Sequence, residues 1–344
     1  MDIGADISAA SSRSADPAGA FGHGSACPLV LAPMAELSHA AFRMMIRRLG
    51  GCDVYFTEML SAGRLVREPA HRSVFLIRDP AETGLVHQIV GGDPELMGRA
   101  AALLESRGVS RVDLNMGCAA PRLIAKGQGV ALMRDPDRAR TVVASVRRSF
   151  GGHLSAKIRL GWAECAAGLP DFCRMLGAEG VQTVTVHPRW QHEKFKGRAR
   201  WDYIARVSQW AGVPVVGNGD VLTAGDAHRL RAETGCDGIM IGRGAAMRPG
   251  LFREIVDPAA PPGDPAAILA EFIALLERYL PAERRLSRLK IFTHWLAQPL
   301  AFGHSLRTRV QSADSLAEAR DRIAAFFAAC PTGASGGAAT PDRI

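Results

Sequence analysis

Short, nearly continuous apolar runs alternate along residues 28–245 with stretches whose apolar residues recur at helical spacing. The runs are PLVLAPM (28–34), VYFTEM (54–59), GLVHQIVGG (84–92), RVDLN (111–115), HLSAKIRLG (153–161), VQTVTVHPRW (181–190), VPVVGNGD (213–220) and CDGIMIGRGA (236–245). Runs so rich in Val, Ile and Leu predict strands buried on both faces, as in a parallel sheet. The intervening stretches predict helices. Ser38 is expected to cap the first, which Gly50 closes, and Asp93-Pro94 opens another that reaches about Arg107. Further helices are expected from Asp135-Pro136 to Arg148, over 168–179, around Trp201–Trp210 and near Gly225–Glu233. Strict alternation of this kind predicts an α/β fold, a (β/α)8 TIM barrel.

From about Pro261 the pattern changes. PAAPPGDP (258–265) reads as a linker, and segments 266–280, 283–298 and 313–329 carry apolar residues only at helical spacing, such as Ile268, Leu269, Phe272, Leu275 and Leu276. The expected organisation is a disordered extension over 1–27, a barrel over 28–257, the linker, a C-terminal all-α helical domain over 266–330, and a flexible tail over 331–344.

Composition changes this picture only in part. Of the 344 residues, 47% are hydrophobic and 22% charged, ordinary proportions for a soluble globular protein. No apolar run approaches the roughly 18 residues that span a bilayer. The first 27 residues, rich in Ala, Ser and Gly, lack the apolar core of a secretory signal. Seven cysteines (27, 52, 118, 165, 173, 236 and 330) are odd in number and hold no C-x-x-C pair. That argues against a disulfide framework or a metal site and for a reducing, cytoplasmic setting. A formal net charge of +8 suggests contact with a polyanion.

The placement of polar residues carries more. Pro33-Met34, Glu58, Gln88, Asn115, Cys118, Lys157, His187, Asn218 and Gly242-Arg243 all fall in or just past the carboxyl half of an expected strand. In a (β/α)8 barrel that end holds the active site. NGD (218–220) and IGRG (241–244) set glycines after the seventh and eighth strands, where backbone N–H groups converge on a phosphate, and Arg243 adds a guanidinium. Lys157 inside a barrel is costly unless it meets an anionic or electron-rich ligand. Gln88 offers a donor and an acceptor to a heterocyclic edge. Together these suit flavin mononucleotide (FMN), while the lack of a G-x-G-x-x-G helix opening disfavours a Rossmann-bound dinucleotide.

APMAELSHAAFR (32–43), TEM (57–59), DLNMGC (113–118), AKIRLGW (156–162), VHPRWQHEKFKGRARWDYI (186–204), VVGNGD (215–220) and GIMIGRGA (238–245) together resemble the flavin-dependent tRNA-dihydrouridine synthases. The resemblance covers 28–255 well and the C-terminal part more loosely. It implies FMN against Pro33, Met34 and Ala35, with Gln88 and Lys157 at its ring. Asn218, Gly219, Asp220, Gly242 and Arg243, helped by His187, would hold the phosphate. It implies NADPH as reductant, hydride delivery to C6 of a uracil, and Cys118 as the general acid that protonates C5. The uridine would be flipped out of its stack, with Asn115 and Arg159 beside it. One departure stands out: the family's Pro after the cysteine is Ala119 here, and Pro121 follows two positions later. Losing that proline frees the backbone and is expected to loosen the loop.

Residues 284–309 hold six Lys/Arg and no acid, among them Arg284, Arg285, Arg288 and Lys290. A second basic cluster occupies 189–200. The two are expected to form a track for a tRNA backbone, recognised by shape. The leading expectation is a monomeric NADPH- and FMN-dependent tRNA-dihydrouridine synthase. The alternatives are a flavin reductase of a small molecule on the same barrel, or a tRNA-binding protein whose catalysis has decayed.

Overall fold

The computed structural model describes Phe21, residues 23–68 and residues 73–329. Eight parallel strands close into a barrel: β1 (Leu29–Leu31), β2 (Val54–Phe56), β3 (Leu85–Val90), β4 (Arg111–Met116), β5 (His153–Ile158), β6 (Thr183–Val186), β7 (Val215–Asn218) and β8 (Gly238–Ile241). Each pairs with its neighbour, and β1 lies between β2 and β8, so no edge of the ring stays open. A two-residue strand, Leu60–Ser61, pairs beside the end of β3 and was not expected from the sequence. The strands are shorter than the apolar runs, because several run ends turn into the loops at the carboxyl end of the barrel. The last run stops at Ile241, and Arg243–Met247 forms a short helix.

Strand alternation divides the core in two. Val112, Leu114 and Met116 of β4 point outward into the large core shared with the helices. Inside the ring, Val30, Ala32, Val54, Phe56, Val86, Val216 and Met240 form a small separate cluster. Phe21 belongs to it. Its ring meets Phe56 edge-on at 5.4 Å, and its N–H donates to Thr183 Oγ1 at 3.2 Å, so it closes the barrel floor. The disorder expected over 1–27 therefore fails at Phe21, while residues 1–20 and 22 lie outside the described residues, as does the expected tail over 331–344.

Most expected caps form. Asp93 accepts from the Leu96 N–H at 2.8 Å and Asp135 from Arg138, while Asp264, placed by the sequence in the linker, also caps a helix by accepting from Ala266 and Ala267. Ser38 does not cap the helix Ala40–Leu49; the N-cap is His39. The Ser38 hydroxyl instead accepts from the Met34 N–H (2.9 Å) and lies 3.1 Å from the Met34 carbonyl, closing the turn after β1.

After the barrel come the helices Leu251–Val256, Pro265–Tyr279, Ala282–Leu296, Gly303–Gln311 and Leu316–Ala329. Leu251–Val256 and Gly303–Gln311 are the two the sequence pattern missed; Phe302, at φ 56°, breaks the chain just before the second. Phe272 and Phe292 meet at 4.4 Å and both pack on Phe42 of the first barrel helix. Such pairs contribute about 0.5–1.5 kcal/mol each beyond area burial, so the helices are fastened to the barrel by an aromatic core.

Candidate active site

The corner after β4 is held by a chain of side-chain amides. Asn115 Oδ1 accepts from the backbone N–H groups of Cys118 (2.9 Å) and Gly117 (3.3 Å). Asn115 Nδ2 donates to Gln88 Oε1 at 2.8 Å, and Gln88 Nε2 donates to Asp113 Oδ2 at 2.8 Å. The Ser155 hydroxyl donates to the other Asp113 oxygen at 2.6 Å. An ionised carboxylate only accepts, so Asp113 fixes the sense of every amide up to the thiol. Asp113 is wholly buried, and that burial raises its carboxyl to about 6 despite the bonds from Ser155 and Gln88. On the far side of the thiol the Val130 N–H donates to the Cys118 carbonyl at 3.1 Å. At Gly129, φ +61°, a Cβ would sit 2.6 Å from that carbonyl, so the loop closes on the corner only because Gly129 has none. The loop itself contains a single-turn helix, Pro121–Ile124, with Pro121 in its first turn.

Facing this corner are four cations. Lys157 Nζ donates to Asn218 Oδ1 at 2.9 Å, and Asn218 is oriented by donating its own amide to the Met240 carbonyl at 2.8 Å. Arg159 donates to the carbonyls of Gly117 (2.9 Å) and Lys194 (2.7 Å). The acceptors bonded to Lys157 and Arg159 are all neutral. Burial lowers the Lys157 ammonium to about 8 and the Arg159 guanidinium to about 10, with neighbouring cations adding to both shifts. The other two cations share one acid: Asp220 receives both oxygens' worth of hydrogen bonds from Arg189 at 2.8 Å, one from Arg243 at 3.1 Å and one from the Ala199 N–H at 2.7 Å. His187, buried among Lys157, Arg159, Arg189 and Arg243, is held neutral well below its usual range, first by burial and then by their charge.

The arrangement fits a flavin nucleotide on three counts. A buried Arg159 and a half-buried Lys157, neither hydrogen-bonded to a carboxylate, call for an anionic or electron-rich ligand. Thr185 Oγ1, on the lumen side of β6, is buried with no hydrogen-bond partner. At Gly219, φ +127°, a Cβ would press at 3.0 Å on both Ala199 and the His187 ring, which keeps the loop after β7 close to that ring.

Of the residues expected from the sequence, Gln88, Asn115, Cys118 and Arg159 fall in one bonded chain, Lys157 and Asn218 in a second, and His187, Asp220 and Arg243 in a third through Arg189, with Gly219 packed on the His187 ring. Met34 and Gly242 lie beside each other: a Cβ on Gly242 would meet Met34 sulfur at 3.6 Å. Pro33 and Ala35 flank Met34 in the turn after β1. Glu58, also at a strand end, is buried, which raises its carboxyl, and it accepts from the Glu36 N–H at 2.5 Å. Asp113, Ser155, Arg189 and Phe195 were missed as site residues. The signal for the first two was available: they share strand parity with Asn115 and Lys157.

The basic track needs correction. Arg288 is 8% exposed and pairs with Glu36 (3.4 Å), so it docks its helix on the turn after β1 and is not a free cation for RNA. Arg285 donates to the carbonyls of Leu280 and Glu277, capping the preceding helix. Arg284 lies over the Phe75 ring at 5.9 Å, and Arg64 lies over the same ring at 5.6 Å. Lys290 is half-buried. In the rim cluster Arg189 is buried and Arg200 pairs with Glu193, leaving Lys194, Lys196 and Arg198 exposed.

Among the described residues no helix is long and apolar enough to cross a membrane. The sequence pattern of the dihydrouridine synthase family matches residues 30–329. A probable tRNA-dihydrouridine synthase of Rhizobium leguminosarum bv. phaseoli is 37% identical over 221 residues, covering 64% of this chain and 69% of its own. One of Mycobacterium tuberculosis (strain CDC 1551 / Oshkosh) is 32% identical over 349 residues, covering 93% and 88%. Among solved structures, histamine dehydrogenase from Rhizobium sp. 4-9 shares the fold at a TM-score of 0.50 and 13% identity, over 72% of this chain and 49% of that one.

Proposed function

The chain belongs to the dihydrouridine synthase family, and we propose that it is an FMN- and NADPH-dependent enzyme reducing the C5–C6 double bond of uridines in tRNA. The observation that carries this reading is the pair of cations, half-buried Lys157 and buried Arg159, bonded only to neutral acceptors within reach of a thiol corner. The chemistry a bound FMN supplies, once reduced by NADPH, is hydride donation to C6 of uracil. Pro33, Met34, Ala35, Gln88 and Lys157 border the ring. Asn218 orients Lys157, and the backbone at Gly219 and Gly242 holds the phosphate with Arg243 and neutral His187. Asp220 is assigned an orienting part, because a carboxylate repels phosphate while it aligns Arg189 and Arg243. Asn115 and Arg159 set the uracil, and the Cys118 thiol delivers its proton to C5. The helices of 265–329 and the barrel rim hold the tRNA backbone by charge and shape.

The test is a visible spectrum of the purified protein and an assay of dihydrouridine in tRNA with NADPH. A yellow flavin spectrum is expected, and Cys118→Ala is expected to lower product formation about 10²–10⁴-fold, the usual worth of a general acid. A protein that refuses FMN sinks the proposal; a Cys118→Ala enzyme equal to the parent removes the thiol's role.

A further inference from the structure

Among the described residues Phe195 is one of three large apolar side chains left exposed, at 54%. We propose that it is a stacking platform for an unpaired nucleobase of the RNA beside the target uridine, an assignment that rests on the tRNA-modifying reading above.

An exposed phenylalanine on a slack loop would mean little, but this loop is pinned. The carbonyl of Lys194 accepts from Arg159 at 2.7 Å, that of Lys196 from Arg189 at 3.2 Å, and that of Gly197 from Arg189 at 2.6 Å. Two residues on, the Ala199 N–H is fixed on Asp220. Lys194 is held at φ 53°, a left-handed conformation that a side chain other than glycine adopts only when its surroundings over-determine it. The strain and the bonds act on one result, the presentation of the next residue's ring.

The ring is held by three neighbours. His187 stacks on it at 6.0 Å with an interplanar angle of 29°, and the guanidinium carbons of Arg159 and Arg243 lie 5.4 and 5.1 Å from its centroid. Such cation–π support suits a ring meant to stay in place while about half of the side chain faces solvent. Beside it Lys194, Lys196 and Arg198 are exposed. An immobilised aromatic flanked by free cations is the chemistry that holds single-stranded nucleic acid: the ring stacks a base and the cations take its phosphates. Arg159 makes the location specific, because the same guanidinium that holds the Lys194 carbonyl also holds the Gly117 carbonyl, next to Cys118. The Phe195 loop and the thiol corner are therefore tied to one side chain.

The experiment compares full-length wild type with Phe195→Ala, Phe195→Leu and Phe195→Trp, measuring tRNA affinity, KM for tRNA, FMN affinity and, for the Trp protein, its emission on adding tRNA or a short single-stranded oligoribonucleotide. Thermal melts confirm folding, which an exposed position should not disturb. Phe195→Ala and Phe195→Leu are expected to weaken tRNA binding about tenfold, the loss of one stacked base, and to raise KM more than they lower kcat, with FMN affinity kept. Phe195→Trp is expected to bind like wild type and to be quenched by either RNA. If FMN affinity falls while tRNA affinity holds, the ring covers the cofactor and the platform is wrong. A leucine that binds as well as phenylalanine likewise rules out stacking. Wild type that binds no tRNA removes the functional reading together with this one, whereas wild-type binding with an indifferent Phe195→Ala removes only the platform.

Discussion

The barrel lumen has two halves that solve burial in opposite ways. Around β1, β2, β7 and β8 it is filled by Val30, Val54, Phe56, Val216 and Met240, with Phe21 as a plug beneath. Across β3 to β5 it is filled by Gln88, Asp113, Asn115, Ser155 and Lys157, each hydrogen-bonded to another side chain. The apolar half needs only shape, and its residues are interchangeable with others of similar volume. The polar half needs every donor matched to an acceptor, because an orphan inside the ring costs far more than a completed bond contributes. Rigidity at the thiol corner thus comes from two sources, a packed floor and a wired wall, and only the wall is specific to chemistry.

The comparison can be broken from either side. The largest effect is expected on the apolar side: Phe56→Ala opens a cavity and should cost about 3–5 kcal/mol in denaturant unfolding, a loss no change of pH restores. Acid probes the polar residues. His87, pushed down to about 3, and His39 and His187, both held well below their usual range, are kept neutral mainly by burial. Unfolding lets them bind protons, so stability should be full above about pH 6.5 and fall as the pH drops below it, by up to about 1.4 kcal/mol per unit for each histidine. Asp113 works the other way between about 6 and its unfolded value near 3.8, since the folded state binds that proton more tightly. A melt series from pH 8 to pH 5 checks the sign, and flat stability across that range would contradict it. Asp113→Leu strands Gln88 Nε2 and the Ser155 hydroxyl and should cost about 1–3 kcal/mol for each group left unpaired, with Asp113→Asn milder. The smallest effect is expected at Thr185→Val. Its hydroxyl has no partner, so the change should leave stability level or raise it by less than about 1 kcal/mol, and reduced FMN uptake in that variant would show that the hydroxyl serves the ligand.

Much of the barrel could be read from the chain. The Val, Ile and Leu runs fall on the eight ring strands, and Asn115 and Cys118 lie at the carboxyl end of β4 as the runs imply. The caps at Asp93 and Asp135 are equally local, set by a carboxylate three residues before the N–H from which it accepts. Ser38 shows where local reading fails: two turns competed for one hydroxyl, and the turn after β1 took it. Arg288 and Arg285 fail for another reason. Helical periodicity marks which face is apolar, but not that a neighbouring loop will offer Glu36, or that a preceding helix will end on an open carbonyl, and so it counts as free a cation that is already spent.

The sequence by itself determined the fold class, the end of the barrel that carries chemistry and the residue types that gather there, because periodicity and strand polarity are properties of a few consecutive residues. Only the tertiary structure decided that Asp113 governs Gln88, that Asp220 serves Arg189 and Arg243, and that Phe195 rests on three charged or polar neighbours. Those partners lie on different strands and loops, and their contacts exist only once closure of the ring has brought distant segments within hydrogen-bonding reach.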